Sequence, residues 1–180
     1  TVQTDNDWNY REKSASQRYQ WSDRNFNANY GGITKNVKLH VTGNLYQTLP
    51  LYAQLGTVGT YIYAQDFDIP GKAAMITAES EVRNEFAAPR TFTYEVAIED
   101  MDGTTRKTFE SGPVTLAAGQ STTIKATARV TGLNFWSWGY GYLYHVHTIL
   151  KVDGRVVDSV RTRTGFRKAE FGGGVVKLNG

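Results

Sequence analysis

Three pairs of neighbouring acidic residues could divide the roles of acid and nucleophile between two carboxylates. They are Asp5 with Asp7, Glu99 with Asp100, and Glu99 with Asp102. The first pair lies in an irregular polar segment, and the others border a turn at Gly103, where acids are common because they bond the local backbone. Nothing in the sequence supplies the apolar surroundings that raise the pKa of a catalytic acid. We therefore predict no catalytic residue in this chain.

Two histidines share one face of a predicted strand, because His145 and His147 are two positions apart. This spacing could place two metal ligands side by side, but a third ligand would have to come from elsewhere. His40 lies in the other half of the chain, and the absence of cysteine excludes thiolate ligands and disulfides. We predict structural histidines, no metal and no cofactor.

A turn rich in aromatic residues precedes the same strand. It contains Trp136, Trp138, Tyr140 and Tyr142. Such side chains can form a platform on which sugar rings stack, and they can also plug the end of a β-sandwich or pack on a neighbouring domain. We favour the packing role and keep the platform as the alternative.

The charge balance of the 180-residue chain is mild, with a formal net charge of +3 and no lysine–arginine block. It gives no argument for nucleic acid as a partner. No apolar run approaches the roughly 20 residues of a membrane helix, and the first residues show no signal-peptide pattern. We predict neither a nucleic-acid partner nor a membrane partner, and the cellular compartment stays open.

Two runs of β-forming residues joined by Asp153 and Gly154 predict a hairpin. In residues 142–152 the even positions are Tyr, Tyr, Val, Thr, Leu and Val, which is the two-residue period of a strand. Asp-Gly is typical of a type I′ turn, because both positions need positive φ. The second run, residues 155–163, is rich in valine and arginine and indicates a strand with one solvent-exposed face. Whether the loop has two or three residues, and so which face of this run meets the core, stays open.

From residue 57 onwards, short β-like runs alternate with turn signals about every ten residues. With the hairpin they make about seven strands, without the Cys-Trp-Cys spacing of antibody domains. The predicted strands are residues 60–65, 73–84, 91–99, 104–110, 121–130, 143–152 and 155–163. This pattern predicts an all-β fold, with an immunoglobulin-like β-sandwich over residues 57–171.

The ends of the chain differ from this pattern. Aromatic residues in the first 30 positions have no steady period, so this segment cannot form its own core. The alternation of residues 33–41 predicts a strand. Its unpaired edge could pair with the same strand of a second copy, which would give a homodimer. Residues 43–57 are predicted to be a linker. We assign residues 1–56 to the end of a preceding domain plus linker, and residues 172–180 to the start of a following domain.

Three separated motifs carry a resemblance to a known family. The first is NYGGITKNVKL at residues 29–39, and the third is VVKLNG at residues 175–180. The second is WGYGYLY at residues 138–144, followed by VVD at 156–158 and TGFR at 164–167. In this order they resemble the non-catalytic front part of glycoside hydrolase family 2, which contains β-galactosidases, β-glucuronidases and β-mannosidases. One departure is the turn at residues 135–139, which lacks the proline usual in the family.

The resemblance implies a role for the whole chain. Residues 1–56 would be the end of a sugar-binding jelly-roll domain, and residues 57–171 the immunoglobulin-like domain. The parent would be a bacterial, β-galactosidase-like enzyme that hydrolyses β-glycosides with retention; a periplasmic or secreted location is compatible with it. Its catalytic barrel, which supplies both catalytic glutamates, would be the partner of this region. The chain alone is expected to be inactive, and oligosaccharide is expected to bind only in the assembled enzyme. The alternative is a self-sufficient β-sandwich that binds carbohydrate or acts in adhesion.

The resemblance also implies positions for individual residues. Arg167 follows the last sandwich strand and is expected to fix the junction with the barrel through an ion pair, with Glu170 or with an acid of the barrel. Asp23 and Asn25 precede the first motif, where some family members reach into the active site, and are candidates for sugar contact. An Asx-rich turn explains the same residues without a sugar.

Overall fold

The computed structural model describes residues 37–50, 53 and 55–180. Within this part of the chain the secondary structure is β-strand, without an α-helix, which confirms the all-β prediction. None of the described residues forms a helix long and apolar enough to cross a membrane. The candidate residues Asp23 and Asn25, with Asp5 and Asp7, lie outside the described residues.

Eleven strands are formed in the described residues. They are β1 (Leu45–Gln47), β2 (Thr60–Asp68), β3 (Ala73–Asn84), β4 (Arg90–Asp100), β5 (Thr105–Glu110), β6 (Val114–Leu116), β7 (Ser121–Val130), β8 (Tyr144–Val152), β9 (Arg155–Thr164), β10 (Ala169–Gly172) and β11 (Val175–Leu178). All seven strands expected from the sequence are present, with ends that differ by at most three residues. Of the other four, β1, β6 and β10 were not expected, and β11 coincides with a short β-like run before Asn179.

Two antiparallel sheets make up the sandwich. In one sheet β3 is central, with β7 on one side and β1 and β2 on the other. In the second sheet β4 and β8 are central, with β9 at one edge and β5 and β6 at the other. A separate two-stranded hairpin of β10 and β11 follows. The predicted sandwich is therefore confirmed.

The core is built from the inward faces of both sheets, as the period of two requires. On β8 the residues Tyr144, Val146, Thr148 and Leu150 are fully buried, and the intervening residues are only partly buried. Fully buried Ile76 and Val82 of β3 contribute from the opposite sheet. These residues all belong to one of the two sides that the alternation of residues 142–152 separates.

The β8–β9 turn has the predicted geometry. Asp153 and Gly154 have φ of 49° and 75°, the positive values that a type I′ turn needs. Leu150 is paired with Asp158 and Lys151 with Val156, so Val157 is an extra residue in a bulge. The open question of register is therefore answered: a two-residue turn is followed by a bulge, which leaves the β9 arginines on the exposed face.

Residues 45–47, which the sequence analysis assigns to a linker, instead form strand β1 of the first sheet. The Gln47 backbone N–H and side-chain amide donate to Asp158 Oδ2 at 2.9 and 3.1 Å. The hydroxyl of Thr148 donates to Gln47 Oε1 at 2.6 Å, and Gln47 is almost fully buried. These bonds tie β1 to the second sheet across more than 100 positions of sequence, which explains why local pattern did not predict the strand.

Residues 37–41, the described part of the strand predicted at 33–41, form no strand. Val37, Leu39 and Val41 are 71%, 90% and 85% exposed. For these residues the strand prediction is wrong: their alternating valine and leucine side chains are exposed, and they pair with no strand among the described residues. The pairing of this region with a second copy stays a prediction.

Two core tyrosines should make the stability of the sandwich sensitive to alkaline pH. Burial raises the pKa of Tyr94 to about 12 and that of Tyr144 to about 12, whereas an unfolded tyrosine has a pKa of about 10. Because the folded pKa is the higher one, the stabilisation is complete below about pH 10 and is lost as pH rises toward 12. At about pH 11 we expect a loss of roughly 1 kcal/mol per tyrosine in the free energy of unfolding.

Urea unfolding at a series of alkaline pH values measures this loss. Tyr94→Phe should weaken the pH dependence, because one of the two phenols is then absent. A wild-type and a variant curve with the same slope against pH would contradict the assignment.

Candidate functional site

The candidate site lies at the end of the sandwich where β9 stops and the chain passes into the β10–β11 hairpin. We call Trp136, Gly165, Arg167 and Asn179 the exit cluster. Trp136 comes from the aromatic turn before β8, Gly165 and Arg167 follow β9, and Asn179 follows β11. The three segments that carry these residues are separated in sequence, with 43 positions between Trp136 and Asn179, and the fold brings them together.

The backbone of Trp136 is bonded on both sides. Its N–H donates to the carbonyl of Phe166 at 2.8 Å, and its carbonyl accepts from Asn179 Nδ2 at 3.1 Å. Phe166 is buried and packs on Tyr144 with ring centroids 5.5 Å apart. The aromatic turn is therefore fixed to the core on one side and to the hairpin on the other.

Asn179 closes the base of the hairpin. Its N–H donates to the carbonyl of Lys168 at 2.8 Å, and its Oδ1 accepts from the N–H of Lys168 at 3.0 Å. Its φ is 61°, a left-handed value that asparagine tolerates better than most residues. The same side chain therefore bonds the start of β10 and the aromatic turn. Asn179 was not among the predicted site residues; the local signal for it is an Asn-Gly pair at the end of a β-like run.

Arg167 does not form the expected pair with Glu170. Its guanidinium lies 4.9 Å from the ring centroid of Trp136, on an exposed side chain, and Glu170 is bonded instead to Lys168 Nζ at 2.9 Å. Alternation explains the difference, because Lys168 and Glu170 share a side of the extended backbone and Arg167 points the other way. The alternative ion-pair partner of Arg167, an acidic residue of the catalytic barrel, stays a prediction.

The aromatic residues of the turn are not equivalent as candidates for a sugar-stacking platform. Trp138 and Tyr140 are 85% and 51% exposed, whereas Trp136 is partly buried beside Arg167. Ser137 and Tyr140 exchange backbone hydrogen bonds of 2.9 and 3.1 Å, so Trp138 stands at the tip of a tight turn. The ring of Tyr140 stacks on Tyr142 at 5.7 Å. Only Trp138 and Tyr140 are thus presented to a partner.

The candidate carboxylates are held by separate partners. Asp100 is buried, pairs with Arg106, and accepts from the Tyr142 hydroxyl at 2.9 Å. Glu99 is the next residue of the same strand and so faces the other side of the sheet, where its Oε2 lies 3.0 Å from His147 Nε2.

Asp102 lies in the exposed turn between β4 and β5. It accepts from the Thr104 N–H at 2.9 Å, and this bond lowers the pKa of its carboxyl. A general acid needs a raised pKa. Asp102 is therefore suited to a structural bond and not to the role of general acid.

His145 and His147 lie on the outer face of β8, with ring centroids 6.5 Å apart. His147 is beside Glu99, and no group of three histidine, cysteine or carboxylate ligands occurs among the described residues. A structural role for both histidines stays a prediction.

Comparisons with known proteins agree with this architecture. The sequence model of "Glycosyl hydrolases family 2" matches residues 58–167. A β-glucuronidase of Formosa agariphila is 34% identical over 151 residues, which are 84% of this chain and 15% of that protein.

Solved structures give the same result. A β-glucuronidase from glycoside hydrolase family 2 superposes with a TM-score of 0.70 at 31% identity, over 77% of this chain and 14% of that one. A putative β-galactosidase of Bacteroides fragilis superposes with a TM-score of 0.66 at 28% identity, over 77% of this chain and 20% of that one. The chain therefore spans about one seventh to one fifth of the relatives it matches. With the family model covering most of the sandwich, the chain belongs to glycosyl hydrolases family 2.

Proposed function

We propose that this chain is the non-catalytic accessory region of a longer β-glycoside hydrolase, in which it packs on a catalytic domain and holds it in position. The observation that carries the proposal is coverage: the chain corresponds to 15% of the β-glucuronidase of Formosa agariphila. The local bonds of Asp100 and Asp102 support it, because each of these carboxylates already has a structural partner.

The chemistry of the longer enzyme would then come from residues outside this chain. Retaining glycosidases use two carboxyl groups roughly 5 to 5.5 Å apart, one as acid and one as nucleophile. We propose a β-glucuronide as the first substrate to test, because the relatives at 34% and 31% identity are named β-glucuronidases. A β-galactoside, which the sequence analysis favours, is the second, supported by the putative β-galactosidase of Bacteroides fragilis.

An activity assay tests the proposal on two proteins. The 180-residue chain and the polypeptide encoded by the gene through its stop codon are each incubated with nitrophenyl β-glucuronide and nitrophenyl β-galactoside. We expect turnover by the longer polypeptide and none above the buffer blank by the 180-residue chain. The accessory role would be overturned if the shorter chain showed turnover that persisted through repurification and was lost in the Asp100→Asn or Glu99→Gln variant.

The exposed aromatics support a second candidate function, a self-sufficient carbohydrate-binding module. Trp138 at the tip of its turn and Tyr140 stacked on Tyr142 offer ring faces to a sugar. Titration of the chain with β-linked oligosaccharides, followed by tryptophan fluorescence, separates the two functions. The accessory role predicts no saturable change; a saturable change that Trp138→Ser abolishes would support the module.

A further inference from the structure

The first sheet of the sandwich turns a face of aromatic and polar side chains away from the core. On β2, Ile62 packs against the core, so its neighbours Tyr61 and Tyr63 lie on the outer face. The register places Tyr61 opposite Glu79 of β3, and Glu79 opposite Lys125 of β7. An aromatic ring, a carboxylate and an ammonium group therefore stand in one line across three strands. We call Tyr61, Glu79 and Lys125 the outer row.

The two tyrosine rings of β2 support each other. The ring centroids of Tyr61 and Tyr63 are 5.3 Å apart, and the ring planes are tilted by 30°. The hydroxyl of Tyr63 donates to Glu79 Oε1 at 2.9 Å, which fixes the ring that lies against Tyr61. Tyr61 itself is 61% exposed. The supported ring is therefore presented to solvent, and a ligand that stacks on it pays little for ordering it.

The charged members of the outer row keep hydrogen-bonding capacity for a ligand. Glu79 uses Oε1 for Tyr63, and the second carboxylate oxygen can accept from another hydroxyl. Lys125 is exposed and forms no ion pair within the described part of the chain, so its ammonium protons are available as donors. By contrast, the hydroxyls of Thr77 and Thr127 in the next line are bonded to each other at 2.9 Å.

We propose that the outer row binds a β-linked oligosaccharide, with one sugar ring stacked on Tyr61. Glu79 accepts a hydrogen bond from a hydroxyl of that sugar, and Lys125 donates to a neighbouring hydroxyl. A sugar ring has a face of C–H groups and a rim of hydroxyls, so it fits an aromatic face that has an acceptor and a donor beside it. The inference rests on the proposed function for its ligand class, since the longer enzyme is proposed to act on β-glycosides.

The composition of this face favours a sugar over a protein domain or a second copy of the chain. The centre of a protein interface is depleted in charged residues, and a stable interface needs roughly 800 Å² from each partner. In the outer row two of the three side chains are charged. Covering them with an apolar surface would leave both groups without hydrogen-bond partners, at a cost in free energy. Sugar hydroxyls both donate and accept, so they can bond the carboxylate and the ammonium group.

Amide NMR of the isotope-labelled 180-residue chain tests the proposal, with cellohexaose and β-1,4-linked galactohexaose as probes. We expect at least one probe to shift the signals of β2, β3 and β7 around the outer row in a saturable way. The Kd should be on the order of 1 mM, because one stacked ring and a few hydrogen bonds form a small site. The proposal is overturned if neither probe gives saturable shifts there at about ten times that concentration.

Substitutions locate the bound sugar. Tyr61→Ala should weaken binding at least about tenfold, because it removes the stacking ring. Lys125→Met keeps the length of the side chain, removes the donors, and should weaken binding about threefold or more. Phe171→Ala is the matched control and should leave the Kd unchanged, since Phe171 is a 79% exposed strand aromatic outside the outer row. Binding that survives in both Tyr61→Ala and Lys125→Met but is lost in Trp138→Ser would place the sugar on the aromatic turn and overturn the proposal.

The remaining outcomes separate this inference from the proposed function. No binding by the 180-residue chain, together with turnover by the longer polypeptide, would overturn the sugar site and leave the accessory function standing. Binding in the outer row, together with a longer polypeptide that lacks glycosidase activity, would support the site and overturn the accessory function. Shifts of the outer-row signals that follow protein concentration without sugar would mean that a second copy covers the face, and would overturn the inference.

Discussion

Asn84→Asp is expected to lower the free energy of unfolding by about 4 kcal/mol at neutral pH, because several buried polar groups lose their partner at once. The fully buried Asn84 amide donates from Nδ2 to the carbonyls of Ala88, Leu116 and Ala117 at 3.0, 3.0 and 3.2 Å. Its Oδ1 accepts from the N–H of Phe86 at 3.0 Å. An aspartate of the same shape can accept but not donate, and it places a negative charge beside three carbonyl oxygens.

The stability lost in the Asn84→Asp variant should depend on pH. Burial beside carbonyls disfavours the ionised form, so the folded pKa of the new carboxyl lies above its unfolded value of about 3.9. The variant is then closest to wild type below about pH 4 and loses stability as pH rises.

Urea unfolding of wild type and variant at acidic and neutral pH measures the difference. Asn44→Asp, at an exposed asparagine, is the matched control and should stay within about 0.5 kcal/mol of wild type. A change of similar size at both positions would show that the buried amide network does not stabilise the fold.

Gly165→Val is expected to lower the free energy of unfolding by about 3 kcal/mol, through overpacking rather than backbone strain. A Cβ at Gly165 would lie 2.9 Å from the Tyr142 carbonyl oxygen, 3.1 Å from Leu143 Cδ2 and 3.2 Å from Trp136 Cβ. The first of these is backbone and cannot rotate away. The chain must therefore shift at the point where β9 passes into the exit cluster.

The effect of Gly165→Val should be visible in Trp136. We expect a lower unfolding midpoint in urea together with a changed emission of the folded state, because the indole would lose its place beside Arg167. Gly112→Val is the control, since a Cβ at Gly112 meets nothing within 4 Å. Equal midpoints for the two variants would contradict the packing argument.

The sandwich itself could be predicted from sequence because its strands carry their own local signals. Short β-like runs bounded by turn signals placed β3 and β7 to the residue, and Asp153–Gly154 marked the β8–β9 turn. The side of a strand follows from the parity of each position, so the alternation of residues 142–152 separates the two faces of β8, and the packed core decides which face is buried. The family resemblance, carried by motifs of several residues each, could likewise be recognised from sequence and is confirmed.

Tertiary structure alone decided what depends on contacts between distant residues. Strand β1 is set by the bonds of Gln47 to Thr148 and Asp158, and Arg167 lies over Trp136 rather than beside Glu170. Asn179 belongs to the exit cluster because its side-chain amide donates a hydrogen bond to the carbonyl of Trp136. Sequence determines periodicity and turn chemistry, which act over a few residues. The partner of a polar side chain is chosen by the packed arrangement of the whole chain, which no local pattern encodes.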